Sequence, residues 1–292
     1  MTEIVASAPA EIVPVLATRE LPTWRLLLRR PSFVIGALML LFWIVCAIFG
    51  NAIAPHDPLA QNLLEINKAP SAAHWFGTDE LGRDVLSRVI VGARTILIIT
   101  PLATLLGTVL GTALGLAMGY FGGWLDTLVS RLVEAVLALP AVIIIVLFIV
   151  ALGTSVTTKV IVIGFIFTPL IARTVRSSVQ VERQLDYLSS ARLLGERPTR
   201  IMFVEILPNV IPTVVVEFTV RLGYAIFAVA TLAFLGFGGQ VSTPNWGSDI
   251  NASYGLLGAG YWWTTLFPAL AIASLVIAIN LVADSVQQAA AG

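Results

Sequence analysis

Long apolar stretches separated by shorter polar ones dominate this chain. A helix that spans a membrane needs about 20 mainly apolar residues. The predicted spans are residues 33–54, 96–119, 132–152, 160–172, 213–235 and 264–282. The first span carries no charge, and the fourth is short unless its helix continues beyond Arg173. The pattern predicts an all-α membrane protein with six transmembrane helices.

The polar stretches divide the chain and suggest its orientation. Residues 1–32 read as an N-terminal tail, 55–95 as a long extracytoplasmic segment and 285–292 as a C-terminal tail, with a five-span core over 96–284. Several arginines lie just before the first span, and six more lie between residues 173 and 200. Both stretches are therefore expected on the cytoplasmic side of the membrane. With six crossings, both termini are expected in the cytoplasm. Four basic residues in the 55–95 segment run against this bias: Lys68, Arg83, Arg88 and Arg94.

Four glycines in the second span recur at every fourth position. They are Gly107, Gly111, Gly115 and Gly119. Small residues at this spacing lie on one helix face and let a second helix approach closely in lipid. We predict that this ridge packs against another span.

A polar stretch at about 176–209 predicts two short helices that meet at Gly195. Glycine tolerates the positive φ that ends many helices, and Pro198 suits the first turn of the next one. We expect Pro208 to stop this second helix. An apolar stripe is expected to face the neighbouring helices: Val181, Leu185, Leu188, Ala191 and Leu194. Such a motif between two spans indicates a soluble partner, although an amphipathic connector without a partner is the alternative.

Charges inside predicted spans are expensive and face a bundle interior or a water-filled path. Glu134 lies in the third span, and Glu217 and Arg221 lie four residues apart in the fifth. The latter two can form a purely structural pair, or all three can belong to a translocation pathway or gate. An intramembrane enzyme that uses these residues and an ion-coupled carrier are alternative functions. The carrier would be expected to show two inverted halves, and no convincing repeat is present.

The sequence FGTDELGRDVLSR, residues 76–88, predicts a hydrogen-bonded turn followed by a helix start. Its carboxylates Asp79, Glu80 and Asp84 could serve as acid and base. A structural role is favoured because no nucleophile or metal motif accompanies them. We expect no catalytic residue in this chain.

Composition narrows the function classes. Hydrophobic residues make up 58% and charged residues 12% of the chain, against about 45–50% and about 25% in soluble domains. The net charge of zero gives no indication of nucleic acid binding. The single Cys46 cannot form an intrachain disulfide, and His56 and His74 stand isolated in the sequence, so no metal site is expected. The chain lacks the phosphate-binding loop of ATPases, and no bound cofactor is expected.

Two motifs resemble those of ABC importer permeases. FGTDELGRDVLSR, with Pro55-His56-Asp57-Pro58 before it, is similar to the C-type subunit of the dipeptide, oligopeptide and nickel transporter family. The stretch from Ser189-Ser190-Ala191 through Gly195 to Leu207-Pro208 resembles the family's cytoplasmic coupling loop. Serines stand here where the family usually has Glu and Ala.

The resemblance implies a type I ABC importer permease core in the cytoplasmic membrane of a prokaryote. It implies import of di- or oligopeptides together with a B-type permease subunit, two ATP-binding subunits or domains, an extracytoplasmic binding protein and membrane lipid. ATP and Mg²⁺ would be bound by the partner subunits. The residues that it implies for ATPase coupling are Tyr187, Ser189, Ser190, Ala191, Arg192, Gly195, Leu207 and Pro208.

Overall fold

A computed structural model describes residues 30–239 and 243–290 of the chain, and these residues contain no β-strand. The helices are α1 (Pro31–Ile53), α2 (Val85–Phe121), α3 (Gly123–Leu137), α4 (Ala141–Leu152), α5 (Val156–Glu182), α6 (Asp186–Leu193), α7 (Leu207–Leu232), α8 (Trp246–Ser253) and α9 (Trp263–Ala290). Most of the predicted N-terminal tail, residues 1–29, lies outside the described residues.

Within the described ranges, five continuous helices are long and apolar enough to cross a membrane. The predicted third span is not a single straight helix, because α3 and α4 meet at a bend of 86°. The bend lies at Pro140, whose ring disfavours helical geometry at the preceding residue. The count is therefore five spans, or six if the bent pair is one span.

Several helices extend beyond their apolar stretches. Helix α2 begins at Val85 because the Asp84 carboxylate caps the backbone N–H of Ser87. Helix α5 runs to Glu182, and α9 continues to Ala290 through most of the predicted C-terminal tail. The polar residues at these ends are also helical, so the helices are longer than hydropathy alone predicts.

The prediction that Pro208 stops a helix is wrong. One continuous helical path runs from Pro198 to Phe237. A π-helical turn, Ile201–Ile206, leads into α7, and Pro208 occupies its first turn, where a backbone N–H is not required. The chain therefore enters the fifth span about six residues before the predicted position 213.

The bundle is organised around the contact between α2 and α5. The four glycines of α2 are all buried on this contact. A Cβ atom at Gly111 would lie 2.7 Å from the Cβ of Ile171, and one at Gly115 would lie 2.7 Å from the carbonyl oxygen of Ala172. The ridge allows the two backbones to approach closely, as the spacing indicates. Helix α1 packs on α2 and α9, and α7 packs on α2, α5 and α9.

Candidate functional site

The 183–200 connector, which joins α5 to the helical path that leads into α7, contains six of the eight predicted coupling residues, and Leu207 and Pro208 follow at the start of α7. Helix α6 ends at Leu193, and Gly195, which follows the C-cap residue Leu194, has φ +78°. The backbone N–H of Glu196 donates to the Ala191 carbonyl oxygen at 3.2 Å, and that of Gly195 donates to Arg192 at 3.0 Å. The turn is therefore closed by hydrogen bonds of its own backbone. Pro198 then opens the next helical turn.

Two apolar side chains attach this connector to the bundle. Leu188 and Ala191 are buried and belong to the same core as Ile201 and Ile206 of the π-helical turn. The other three members of the predicted stripe differ, because Val181, Leu185 and Leu194 are exposed. The stripe prediction is thus correct only near the middle of α6, where a neighbouring segment covers the helix.

Tyr187 links the two helices on either side of the connector, α5 and α7. Its hydroxyl group donates to the Glu182 carboxylate at 2.5 Å and accepts from the Asn209 side-chain amide at 2.9 Å. Burial and the hydrogen bond to Glu182 raise the pKa of Tyr187 to about 12, so it remains a neutral donor. Arg192 lies 5.4 Å from the ring centroid of Tyr120, which ties α6 to the end of α2.

The tip of the connector faces outward. Leu193 is 89% exposed and Leu194 is 82% exposed, and a Cβ atom added at Gly195 would meet no atom within 4 Å. Ser189, Ser190, Arg192 and Pro208 are exposed as well, whereas Leu207 is partly buried. The predicted coupling residues of α6 and its turn therefore have a buried base at Ala191, and they flank an open apolar tip formed by Leu193 and Leu194.

The charged residues predicted for a pathway do not form one cluster. Arg221 donates to the Glu217 carboxylate at 2.8 Å within α7, and both side chains are largely buried. Glu134 accepts from Arg131 at 3.2 Å on α3, where its side chain is 64% exposed. The Glu217–Arg221 pair is compatible with a purely structural role and with a place in a translocation pathway or gate.

The 54–84 connector, which joins α1 to α2, is held by polar contacts. The Asp79 carboxylate accepts the backbone N–H groups of Leu81 and Arg83 at 2.9 Å and the Arg83 side chain at 2.6 Å. Arg88, which is 3% exposed, lies between Asp79 and Asp249 of α8 and forms an ion pair with Asp249. These carboxylates stabilise the turn, so the structural interpretation of the FGTDELGRDVLSR motif is preferred over the catalytic one.

Two features of this site were not expected from the sequence. His56 and His74 are not isolated, because their ring centroids lie 4.7 Å apart next to Asp84. At the opposite end of the bundle, Asp126 of α3 forms a bidentate ion pair with Arg176 of α5. The only sequence signal for the Asp126–Arg176 pair is that both residues lie near the ends of predicted spans.

Comparison with known proteins places these features in one family. The family model described as binding-protein-dependent transport system inner membrane component matches residues 111–291, and that of the N-terminal TM domain of oligopeptide transport permease C matches residues 22–70.

Similar curated proteins include those named glutathione transport system permease protein GsiD from Escherichia coli O157:H7, Shigella flexneri serotype 5b and Shigella sonnei. Each is 38% identical over 270 residues, which cover 91% of this chain and 88% of the relative. Together with the apolar helices, these matches confirm the predicted family. The chain belongs to the binding-protein-dependent transport system inner membrane components, and it is an inner-membrane ABC importer permease of the peptide, glutathione and nickel type.

Proposed function

We propose that this permease forms half of the translocation pathway of an ATP-driven importer of short peptides, with glutathione as the first cargo to test. The name of the GsiD relatives supports glutathione, which is itself a tripeptide. The partners would be a B-type permease, two ATP-binding subunits and an extracytoplasmic binding protein.

The observation that carries the coupling role is the exposed tip of the 183–200 connector. Leu193 and Leu194 lie side by side at this tip and are exposed, and an apolar surface of this kind suits contact with a partner protein. The buried base at Leu188 and the hydrogen bonds of Tyr187 connect this tip to α5 and α7. Movement of a partner that holds the tip would therefore be transmitted to two spans.

The orientation follows from this assignment. The tip would face the ATP-binding subunits in the cytoplasm, and the 54–84 connector would face the binding protein on the other side. If the bent pair α3 and α4 counts as one span, the number of crossings is even. Both termini are then cytoplasmic, in agreement with the arginines before α1.

The test replaces Gly195 with valine and measures ATP hydrolysis and glutathione uptake by the complex in liposomes. Valine is strained at positive φ, so the tip should change its shape and ATP hydrolysis should no longer drive uptake. Gly153 provides a matched control, because it also has positive φ with no atom within 4 Å of an added Cβ. It lies between α4 and α5, far along the chain from the tip.

We expect Gly195→Val to insert normally but to lose uptake, and Gly153→Val to keep it. Uptake at the wild-type level per ATP in Gly195→Val would contradict the coupling role. A dipeptide in place of glutathione in the same assay tests the cargo separately. Purification of the tagged chain from mild detergent tests the partners, and a chain that elutes alone would argue against the complex.

A further inference from the structure

Three potential metal ligands converge at the 54–84 connector. They are His56 just after α1, His74 within the connector, and Asp84 at the start of α2. The Asp84 Oδ1 atom lies 2.9 Å from His74 Nδ1 and 3.7 Å from His56 Nδ1. One ligand atom from each of the three residues lies within 4.8 Å of the others. The cluster joins parts of the chain that are separated by up to 28 positions, 84 minus 56.

These separations suit a small divalent cation. Zinc binds imidazole nitrogen and carboxylate oxygen at about 2.0–2.2 Å, so the ligand atoms of a tetrahedral site lie about 3.3 Å apart. The two distances to Asp84 Oδ1 lie on either side of that value. Rotation of the half-exposed His56 ring would shorten its distance to Asp84, whereas the largely buried His74 and Asp84 side chains would have to separate by a few tenths of an ångström.

Outer hydrogen bonds orient the two buried ligands. The second oxygen of Asp84 accepts the Ser87 backbone N–H at 2.8 Å and its hydroxyl group at 2.6 Å, which leaves Oδ1 directed at the histidines. His74 Nε2 lies 3.2 Å from the Glu65 carboxylate. A histidine that donates one ring N–H to a carboxylate presents the lone pair of its other nitrogen to a metal. With a metal bound, Glu65 would hold the remaining proton on Nε2, so that His74 would coordinate through Nδ1.

The cluster is open on one side. The His56 side chain is 44% exposed and lines an open surface depression together with Asn51 and residues 54–59. A cation can therefore enter, and a water molecule can take the fourth position, as in three-ligand zinc sites. An ion pair between His74 and Asp84 would not require a second imidazole, yet Nδ1 of His56 faces the same Asp84 oxygen.

We propose that His56, His74 and Asp84 bind one Zn²⁺ ion, with Glu65 as a positioning residue. Imidazole together with a carboxylate suits zinc and similar transition metals, whereas Mg²⁺ and Ca²⁺ favour sites built from oxygen alone. Binding at Nδ1 displaces the proton that His74 otherwise shares with Asp84. The ion fastens the end of α1 to the start of α2, and it does so outside the candidate spans.

The test measures zinc binding by calorimetry on the full-length chain in detergent, purified through a tag without histidine. The expected result is one Zn²⁺ per chain and a melting temperature that rises with zinc. His56→Ala should weaken binding at least tenfold, and Glu65→Gln should weaken it by about 10–100-fold, as positioning carboxylates do. Glu80→Gln is the matched control, because Glu80 is an exposed carboxylate of the same connector, and it should bind like the wild type.

His56→Ala is the decisive variant because it spares the fold. Its backbone N–H keeps the bond to Ser87 Oγ at 3.1 Å, and the side chain is half exposed. With chelator present, its melting temperature should equal that of the wild type. Absence of saturable zinc binding by the wild type overturns the proposal. Binding that is unchanged in His56→Ala overturns it too, because the ion then lies elsewhere. Neither outcome bears on peptide import.

Discussion

The 54–84 connector and the 183–200 connector both leave the helix bundle, but they are attached to it to different extents. The first folds back on the bundle, where Trp263 donates to the Thr78 carbonyl oxygen at 3.1 Å and Phe76 stacks on Phe267 at 3.8 Å. The second keeps only a narrow base buried and leaves Leu193 and Leu194 open. Both connectors expose neighbouring leucines, since Leu63 and Leu64 of the first are 71% and 89% exposed. The contrast is therefore one of internal packing, because polar and aromatic contacts hold the first connector to the bundle at several points and the second is held mainly by its base.

The largest effect on stability is expected from Arg88→Met, which removes the cation between Asp79 and Asp249. A buried carboxylate that loses its partner costs about 3–5 kcal/mol in the free energy of unfolding. The Asp249 side chain is only 11% exposed, so water cannot replace the arginine. Thermal and denaturant melts in detergent would measure the loss. The control is Arg131→Met, which breaks an exposed ion pair with Glu134 and should cost less than about 1 kcal/mol.

A pair of glycine substitutions compares the two connectors directly. Gly82 has φ +69° and Gly195 has φ +78°, but an added Cβ would lie 1.9 Å from the Asn62 carbonyl oxygen only at Gly82. Gly82→Ala should lower the free energy of unfolding by about 3 kcal/mol, through both the clash and the backbone strain. Gly195→Ala should cost about 1 kcal/mol, from the backbone strain alone. Equal melting temperatures for the two variants would contradict the contrast between the connectors.

A smaller effect is expected from pH when zinc is removed by a chelator. Burial lowers the pKa of His74, but its hydrogen bonds to Asp84 and Glu65 outweigh this, and the net shift is upward. The stabilisation by protonated His74 is complete below the ordinary histidine pKa of about 6.5. It is lost as the pH rises through the raised value of the folded chain.

Glu65 acts in the opposite direction at lower pH. The hydrogen bond from His74 lowers the pKa of Glu65, so its contribution is present above the ordinary glutamate pKa of about 4.3 and is lost only as the pH falls through the lowered value. The melting temperature should therefore fall as the pH rises from the ordinary histidine pKa of about 6.5 through the raised pKa of His74. His74→Gln should flatten this slope, and an unchanged slope would show that another group is responsible.

The smallest effect on stability is expected at the tip of the 183–200 connector. The double variant Leu193→Ser, Leu194→Ser should change the free energy of unfolding by no more than about 0.5 kcal/mol, because both side chains are already in solvent. Uptake by the reconstituted complex should nevertheless fall. Leu188→Ser, on the buried face of the same helix, should cost about 2 kcal/mol or more. Full uptake by the double variant would argue against a partner at this tip.

Local patterns in the sequence determined a large part of this protein. Apolar stretches indicated the spans, the four-residue spacing of Gly107 to Gly119 indicated a close helix contact, and Gly195 stood where the chain needs a positive φ. These properties depend on neighbouring residues within a few helical turns. The two resembling motifs then identified the family, which the comparisons confirmed.

Tertiary structure alone decided which side chains of a pattern meet a partner. Leu188 is buried and Leu194 is exposed although both belong to one stripe, because the Ile201–Ile206 turn covers only part of α6. Arg88 and Asp249 are 161 residues apart and form a pair only because α2 and α8 lie side by side. His56 and His74 come together because the 54–84 connector folds so that both rings lie next to Asp84 at the start of α2. Periodicity is a property of a single helix, whereas such contacts depend on how separate elements pack against each other.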